Sequence, residues 1–190
     1  MASVVVGYLL GTVPTALLVG RRLGHDPSHE GSGNPGASNV YRTIGRGPAA
    51  VVLTVDIVKG AAAAGLGWAV EGHTLGVACG VAAVVGHSYP LVRRGGKGVA
   101  TCAGVISVLF PVHAVVAALV WVVVAKTSRR PSIASLLLAV GVPIGVAVTG
   151  APGIEVALLA ALAAVVVVRH AGNIRRLVRG TEGPIQAGKP

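Results

Sequence analysis

The chain has 190 residues, of which 53% are hydrophobic and only 12% charged, and its mean hydropathy is +0.78. Soluble domains carry about 25% charged residues, so this composition excludes an ordinary soluble domain and indicates a single membrane-embedded, all-α domain over residues 1–190. The net charge of +10 arises from short basic clusters between apolar runs, and with only 3% aromatic residues it does not predict a nucleic-acid surface.

Six apolar runs approach the length of about 20 residues that a membrane-spanning helix needs. They are residues 2–20, 48–70, 74–92, 99–125, 132–150 and 152–168. The first lacks a preceding basic segment and a clear cleavage site, which favours a retained span over a signal peptide. In the second, Asp56 and Lys59 share a helical face and either line a polar cavity or form a structural pair. Cys79 and Cys102 are predicted to be buried thiols.

The basic residues predict the topology. Lys and Arg cluster after the first, third and last runs and before the fifth, whereas the other connections contain none. Cytoplasmic loops are enriched in Lys and Arg, so we expect these clusters in the cytoplasm and the N-terminus outside. That requires an even number of crossings between Lys97 and Lys126. We therefore predict two short helices joined near Pro111, and seven spans in all. The alternative, six spans, would place the C-terminal cluster outside.

The first polar loop, "GSGNPGASNVYR" (31–42), combines glycine with neutral donors and one arginine. Glycine lets backbone N–H groups converge on a ligand, and the planar fork of Arg42 suits phosphate. The loop is predicted to be an anion cradle, although such residues also suit a flexible connection. The candidate binding residues besides Arg42 are Gly31, Ser32, Gly33, Asn34, Gly36, Ser38 and Asn39.

The second loop, "GHSYPLVRRGGKGVAT" (86–101), does not match the P-loop pattern but places glycines before an apolar helix. Backbone N–H groups at a helix N-terminus favour an anion, and Lys97 supplies a point charge. Gly95, Gly96 and Gly98 are therefore candidate phosphate-binding positions. His87 either binds substrate or caps its helix.

The third segment, "RHAGNIRRLVRGTEGPI" (169–185), places His170 and Asn173 on one helix face where a span meets water. Its three later arginines, Arg175, Arg176 and Arg179, are expected at lipid headgroups. Glu182 could act as a base, but a carboxylate in such a tail is usually solvated. Ser132 and Ser135 begin the fifth run, where either can cap the helix or face the shared site.

Together these three segments resemble the signature motifs of the bacterial acyl-phosphate:glycerol-3-phosphate acyltransferases, and "GTVPTALLVGRRLG" (11–24) and "DIVKG" (56–60) resemble the same family. The resemblance covers essentially the whole chain. It implies a seven-span bacterial inner-membrane enzyme, active as a monomer on the cytoplasmic face. Its reaction would transfer a fatty acyl group from acyl phosphate to the 1-hydroxyl of glycerol 3-phosphate, giving lysophosphatidic acid and phosphate.

The family's functional positions correspond here to Ser32, Arg42, Lys97, Ser135, His170 and Asn173. The family usually has Thr at the position of Ser38, and the hydroxyl is retained. Val92 and Arg93 replace aromatic residues that often flank the second motif. The resemblance implies no metal and no bound cofactor, with membrane lipids as surroundings.

The sequence does not assign the general base that removes the hydroxyl proton. His170 is the natural candidate, but no carboxylate is placed to orient it. We therefore favour a phosphate oxygen of a substrate as base, with His170 binding the glycerol or the phosphate. A covalent acyl-serine is disfavoured because no serine lies beside an obvious base. A phosphate transporter and a lipid-binding structural protein are the alternative classes. The chain lacks the internal repeat of many transporters, and a structural protein would not need the Gly-Asn loops.

Overall fold

The computed structural model describes residues 1–92 and 94–186, and every regular element in them is an α-helix. The helices are α1 (Ala2–Gly11), α2 (Thr15–Arg22), α3 (Ala37–Thr43), α4 (Arg46–Glu71), α5 (His73–Ser88), α6 (Val99–Leu109), α7 (Pro111–Ser128), α8 (Pro131–Val148), α9 (Gly153–Arg169) and α10 (Ala171–Val178). Within the described residues, four segments are long and apolar enough to cross a membrane, namely α1–α2, α4, α7 and α8. The pair α9–α10, bent by 60°, makes a fifth. The predicted all-helical membrane fold is confirmed at this level.

The first apolar run has the length of one span but consists of two helices. α1 ends at Gly11 and α2 begins at Thr15. Pro14 between them has no N–H to donate to a helix. The break turns the Val13 carbonyl toward α4, where Lys59 donates a hydrogen bond to it at 3.1 Å.

The fourth apolar run divides where the sequence predicts. α6 ends at Leu109, Phe110 leaves the helical conformation, and Pro111 starts α7. Proline suits the first turn of a helix, where an N–H would have no partner within the helix. Two helices are therefore present, as predicted, but only α6 is short, with 11 residues against 18 in α7.

The three basic segments of the second half of the chain meet at one end of the helices, which we call the motif end. Arg169, at the end of α9, donates through Nε to the Gly96 carbonyl at 2.9 Å. Arg130, just before α8, donates through Nε to the Glu182 carbonyl at 2.8 Å. The residues around Gly96, Arg130 and Glu182 are far apart in sequence, so the fold itself creates this shared polar region.

The connections that lack Lys and Arg meet at the opposite end. His73, at the start of α5, contacts the Glu155 carboxylate through Nδ1 at 3.0 Å and the Leu109 carbonyl through Nε2 at 2.9 Å. The Thr149 hydroxyl lies 3.2 Å from Nε2 of His113. Helices α5, α6, α7, α8 and α9 therefore alternate in direction between the two ends.

The apolar core lies mainly among α5, α6, α8 and α9. Val105 and Leu159 are 0% and 1% exposed. Cys79 and Cys102 are buried free thiols, as predicted. Helix α4 approaches α6 closely because Gly104 has no side chain, and a Cβ there would overlap the Ile57 carbonyl.

Candidate active site

An asparagine holds the first polar loop in a defined conformation. The buried Asn39 side chain donates through Nδ2 to the carbonyls of Pro27 and Glu30, both at 2.9 Å. Its Oδ1 accepts hydrogen bonds from the backbone N–H and the hydroxyl of Ser32, at 2.8 and 3.0 Å. The loop is therefore tied by its own polar groups, and it leads into the short helix α3, which carries Arg42.

The other predicted anion-binding residues of the first loop lie around the Asn39 side chain. Gly31 and Gly33 adopt left-handed backbone conformations, with φ of 58° and 66°, which favour glycine. Ser38 is exposed, and Asn34 and Gly36 are partly buried. A turn geometry that needs glycine therefore explains part of this sequence without a ligand, and the anion-cradle role remains a prediction.

The glycines of the second loop are clamped between two side chains. Arg169 donates to the carbonyls of Gly96, through Nε, and of Gly95, through Nη2 at 2.5 Å. On the other side, the His87 imidazole occupies the space that a Cβ on Gly96 would need. The Gly96 N–H donates to the His87 carbonyl at 3.0 Å, so one predicted anion-binding N–H is engaged within the protein. Gly98, with φ of 81°, directly precedes α6.

Lys97 and Asn173, predicted from separate motifs, form a direct contact. Nζ of Lys97 donates to Oδ1 of Asn173 at 2.5 Å. The amide Nδ2 of Asn173 donates in turn to Oε1 of Glu182 at 2.6 Å. An ammonium can only donate and a carboxylate can only accept, so these two partners define which way the amide is turned.

The sequence did not predict the burial of Glu182 or its contacts with the site. Glu182 is 4% exposed rather than solvated, and it accepts further hydrogen bonds from the Ser132 hydroxyl at 2.9 Å and from Nε of Arg176 at 2.5 Å. Arg176, which was predicted to lie at lipid headgroups, thus has a protein partner for its Nε, while its side chain stays 44% exposed. The only signal in the sequence was one acidic residue within a basic tail.

Hydrogen bonding keeps Glu182 ionised. Burial raises the pKa of its carboxyl, but the hydrogen bonds from Asn173, Arg176 and Ser132 outweigh this effect and hold the pKa below its ordinary value. The buried carboxylate is therefore a fixed negative charge that neutralises part of the surrounding basic cluster.

The environment of Lys97 is strongly positive. Burial is the main cause that lowers the pKa of its ammonium, from 10.5 to about 8, and Glu182 opposes the change. Three guanidinium groups also lower this pKa, those of Arg176, Arg42 and Arg169. Cations from all three motifs therefore act on one another here, and such a concentration of positive charge favours a multiply charged anion.

His170 is buried at the junction of α9 and α10 rather than exposed at the water interface. It is 2% exposed, and its Nδ1 lies 2.8 Å from the Val166 carbonyl. A carbonyl can only accept, so Nδ1 carries the proton and the neutral ring keeps its lone pair on Nε2. Among the described residues, no carboxylate bonds to His170.

His87 lies in a second polar group, beneath the glycine loop. Its Nδ1 is 2.8 Å from Nζ of Lys59, which is also 2.8 Å from Oδ1 of Asp56. The side chain of His87 therefore does not cap its own helix. It lines a small cleft together with Pro35 of the first loop and Gly95 of the second, so these loops meet above the buried pair.

The two serines at the start of α8 have different partners. Ser132 donates to Glu182, whereas Ser135 donates to the Pro131 carbonyl at 2.9 Å and accepts a hydrogen bond from Nε1 of Trp121 at 3.1 Å. Neither caps the helix, because α8 begins at Pro131 and no side-chain cap forms there. Ser132 thus joins the group of contacts formed by Lys97, Asn173 and Glu182, whereas Ser135 faces α7.

Known proteins resemble this chain over nearly its whole length. The family model described as glycerol-3-phosphate acyltransferase matches residues 1–180. A glycerol-3-phosphate acyltransferase of Rhizobium meliloti (strain 1021) is 43% identical, with 97% of this chain and 92% of the relative covered. One of Myxococcus xanthus (strain DK1622) is 46% identical, with coverages of 95% and 97%.

Solved structures of glycerol 3-phosphate acyltransferases are also similar to this chain. The crystal structure of PlsY, an integral membrane glycerol 3-phosphate acyltransferase, in its glycerol 3-phosphate form matches with a TM-score of 0.92 and 32% identity, covering 97% of this chain and 94% of that one. Its lysophosphatidic acid form matches with a TM-score of 0.89, also at 32% identity, with coverages of 96% and 93%. The chain therefore belongs to the glycerol-3-phosphate acyltransferase family and has the fold of its integral membrane members.

Proposed function

We propose that this protein transfers a fatty acyl group from acyl phosphate to the 1-hydroxyl of glycerol 3-phosphate, releasing lysophosphatidic acid and inorganic phosphate. The observation that carries the proposal is the Lys97–Asn173 contact, which joins the second and third motifs where the charges of Arg176, Arg42 and Arg169 also act on Lys97. Both substrates carry a phosphate, and two phosphates brought close together repel each other unless cations surround them. The relatives and the PlsY structures support the acceptor, glycerol 3-phosphate.

The chemistry of acyl phosphate suits the side chains at the motif end. Acyl phosphate is a mixed anhydride whose phosphate is a good leaving group, so the protein mainly needs to position two substrates and stabilise the oxyanion. The glycerol oxygen attacks the acyl carbon, and the bond from that carbon to the phosphate oxygen breaks. The second N–H of the Asn173 amide, which Glu182 does not use, is a donor for the oxyanion, and such a donor is typically worth about 3 kcal/mol. The Ser32 hydroxyl donates to Asn39 and would first have to leave it.

A substrate phosphate is the base that we favour for the hydroxyl proton. His170 has no carboxylate partner among the described residues, and its Nδ1 is held by a backbone carbonyl. We assign His170 to substrate binding through Nε2. The proton of the attacking hydroxyl passes to a phosphate oxygen and leaves with the released phosphate. Arg42 and Lys97 neutralise the phosphates throughout.

We also propose seven crossings, with the N-terminus outside and the motif end in the cytoplasm of a bacterial inner membrane. The crossings are α1–α2, α4, α5, α6, α7, α8 and α9. The alternating helix directions support this order, and the basic residues at the motif end support its orientation. At 11 residues, α6 is about 16 Å long and is the shortest of the proposed crossings.

The deciding experiment uses purified protein, radiolabelled glycerol 3-phosphate and palmitoyl phosphate. We expect labelled lysophosphatidic acid without acyl-CoA or acyl carrier protein, and none with palmitoyl-CoA as the only donor. Product formed from palmitoyl-CoA but not from palmitoyl phosphate would overturn the donor assignment. Uptake of glycerol 3-phosphate into vesicles without acylation would overturn the enzymatic assignment altogether.

A further inference from the structure

A buried charged pair lies beneath the glycine loop and takes no part in the reaction described above. Asp56 and Lys59, on α4, are 2% and 5% exposed, and Oδ1 of Asp56 lies 2.8 Å from Nζ of Lys59. The Thr15 hydroxyl donates to the same carboxylate oxygen at 3.1 Å. Charges inside a membrane protein are expensive and usually mark a functional region.

The hydrogen bonds of Lys59 determine the state of His87. A lysine ammonium has three N–H donors, and three acceptors surround this one: Asp56 Oδ1 at 2.8 Å, the Val13 carbonyl at 3.1 Å and His87 Nδ1 at 2.8 Å. The third contact requires Nδ1 to be an acceptor. The imidazole is therefore neutral, with its proton on Nε2.

The same imidazole supports the glycine loop. Its ring occupies the space beside Gly96, and the backbone carbonyl of His87 accepts the Gly96 N–H at 3.0 Å. Arg169 holds the loop carbonyls from the other side. Because Lys97 follows Gly96 directly, a movement of His87 displaces the ammonium that contacts Asn173.

We propose that Asp56 and Lys59 are positioning residues for the acyltransferase reaction, which fix the tautomer and place of His87 and, through it, the loop that presents Lys97. They act on the reaction only through His87 and touch no substrate. The proposal rests on the proposed function, and it adds a chain of contacts from the break in the first span, through α4 and α5, to the second motif.

The kinetic test is the double variant D56N/K59M. It removes both charges together, so neither is left unpaired in the membrane, and the control E71Q makes the same carboxylate-to-amide change at an exposed position on α4. We expect the KM for glycerol 3-phosphate to rise about 10- to 100-fold with a smaller change in kcat, because the loop is displaced. Wild-type kinetics in a folded D56N/K59M protein would overturn the proposal. An inactive wild type would instead overturn the proposed function.

A double-mutant cycle tests whether the effect passes through His87. In H87N the amide oxygen can still accept from Lys59, but the side chain no longer reaches the space beside Gly96. We expect D56N/K59M to raise KM far less in the H87N background than in the wild type. Equal effects in both backgrounds would overturn the proposal, because the pair would then act independently of His87.

A spectroscopic test needs folded protein but no kinetic measurement. Selective ¹⁵N labelling of histidine reports which ring nitrogen carries the proton, and the spectrum of H87N assigns the signals. We expect His87 to have an unprotonated Nδ1 and a protonated Nε2. A protonated Nδ1 would overturn the proposal, whatever the variants do.

Discussion

The carboxylate of Glu182 orients the amide of Asn173. Oε1 of Glu182 accepts a hydrogen bond from Nδ2 at 2.6 Å, which turns the amide oxygen of Asn173 toward Lys97, 2.5 Å away. Without this acceptor the amide could rotate and present its NH₂ group to the ammonium, where donor would face donor. A residue in the C-terminal tail thus determines a contact between the second and third motifs.

This relationship predicts different outcomes for two substitutions at Glu182. In Glu182→Gln the new amide oxygen still accepts from Asn173 and Ser132, so we expect a modest loss of activity. In Glu182→Ala both buried donors lose their acceptor, and we expect a loss of roughly 2 kcal/mol in stability, about 1 for each donor, together with a clear fall in kcat/KM. Thermal unfolding in detergent and steady-state kinetics measure both effects. Equal damage in the two variants would show that the charge, and not the orientation of Asn173, is what matters.

The lowered pKa of Lys97 predicts an alkaline limit of activity. A group with a pKa of about 8 is charged below that pH and loses its charge as the pH rises through it. If the ammonium binds a phosphate, kcat/KM for glycerol 3-phosphate should fall about tenfold for each unit above pH 8. The measurement is a pH profile of kcat/KM between pH 6.5 and roughly 10.

The matched variant for this profile is Lys97→Arg. A guanidinium stays charged throughout this range, so the alkaline fall should disappear even if the absolute rate is lower. An unchanged alkaline limb in Lys97→Arg would assign the titration to another group.

Most of the helices could be predicted from hydropathy, because membrane helices are long and apolar. The division at Pro111 was predictable too, since proline favours the first turn of a helix. The division at Pro14 follows the same physics, but the run of residues 2–20 has the right length for one span, and nothing in its hydropathy marks the break.

The site residues could be predicted only where a local sequence pattern marks them. Lys97, His170 and Asn173 stand out as polar residues at the ends of apolar runs, and the structure brings Lys97 and Asn173 together. The burial of Glu182 was not predictable, because it arises from contacts between the C-terminal tail and α8 that no local pattern encodes. The partners of His87 likewise come from α4, 28 residues away.

For His170 we expect a binding defect rather than a catalytic collapse. His170→Ala removes one hydrogen bond that Nε2 accepts from a hydroxyl of glycerol 3-phosphate, worth about 0.5–1.5 kcal/mol, which corresponds to a rise of roughly 2- to 13-fold in the KM for glycerol 3-phosphate. The value of kcat at saturation should change much less. A collapse of kcat with unchanged KM would identify His170 as the general base instead.

Two glycine-to-alanine variants distinguish the effect of a substitution in the glycine loop from that of one within a helix. In Gly96→Ala the new Cβ overlaps the His87 imidazole, so the loop must move and we expect a large rise in the KM for glycerol 3-phosphate. In Gly65→Ala, on α4, the new Cβ meets no atom within 4 Å, and alanine favours the helix by up to about 1 kcal/mol. Kinetics and thermal unfolding of both variants test this. A Gly96→Ala enzyme with normal KM would show that the loop is not packed against His87 in the working protein.

The contacts at the opposite end predict a variant that loses stability but keeps its substrate affinity. His73 joins the start of α5 to Glu155 of α9 and to the Leu109 carbonyl of α6, and the Thr74 hydroxyl donates to the same carboxylate at 2.7 Å. Glu155→Ala leaves two donors without their acceptor in a largely buried place, so we expect a loss of roughly 2 kcal/mol. The measurement is the Tm in detergent.

Because these contacts lie at the end of the helices away from Lys97, the KM of Glu155→Ala for glycerol 3-phosphate should stay within about twofold of the wild type while the protein is folded, as expected for sites that share no partners. Thr149→Ala is a milder control, because the Thr149 hydroxyl is exposed and its distance to Nε2 of His113 is 3.2 Å. A KM that rises together with the fall in Tm would show that the two ends are coupled through α5 and α9. In that case the packing of these helices would set the position of Arg169 on the glycine loop.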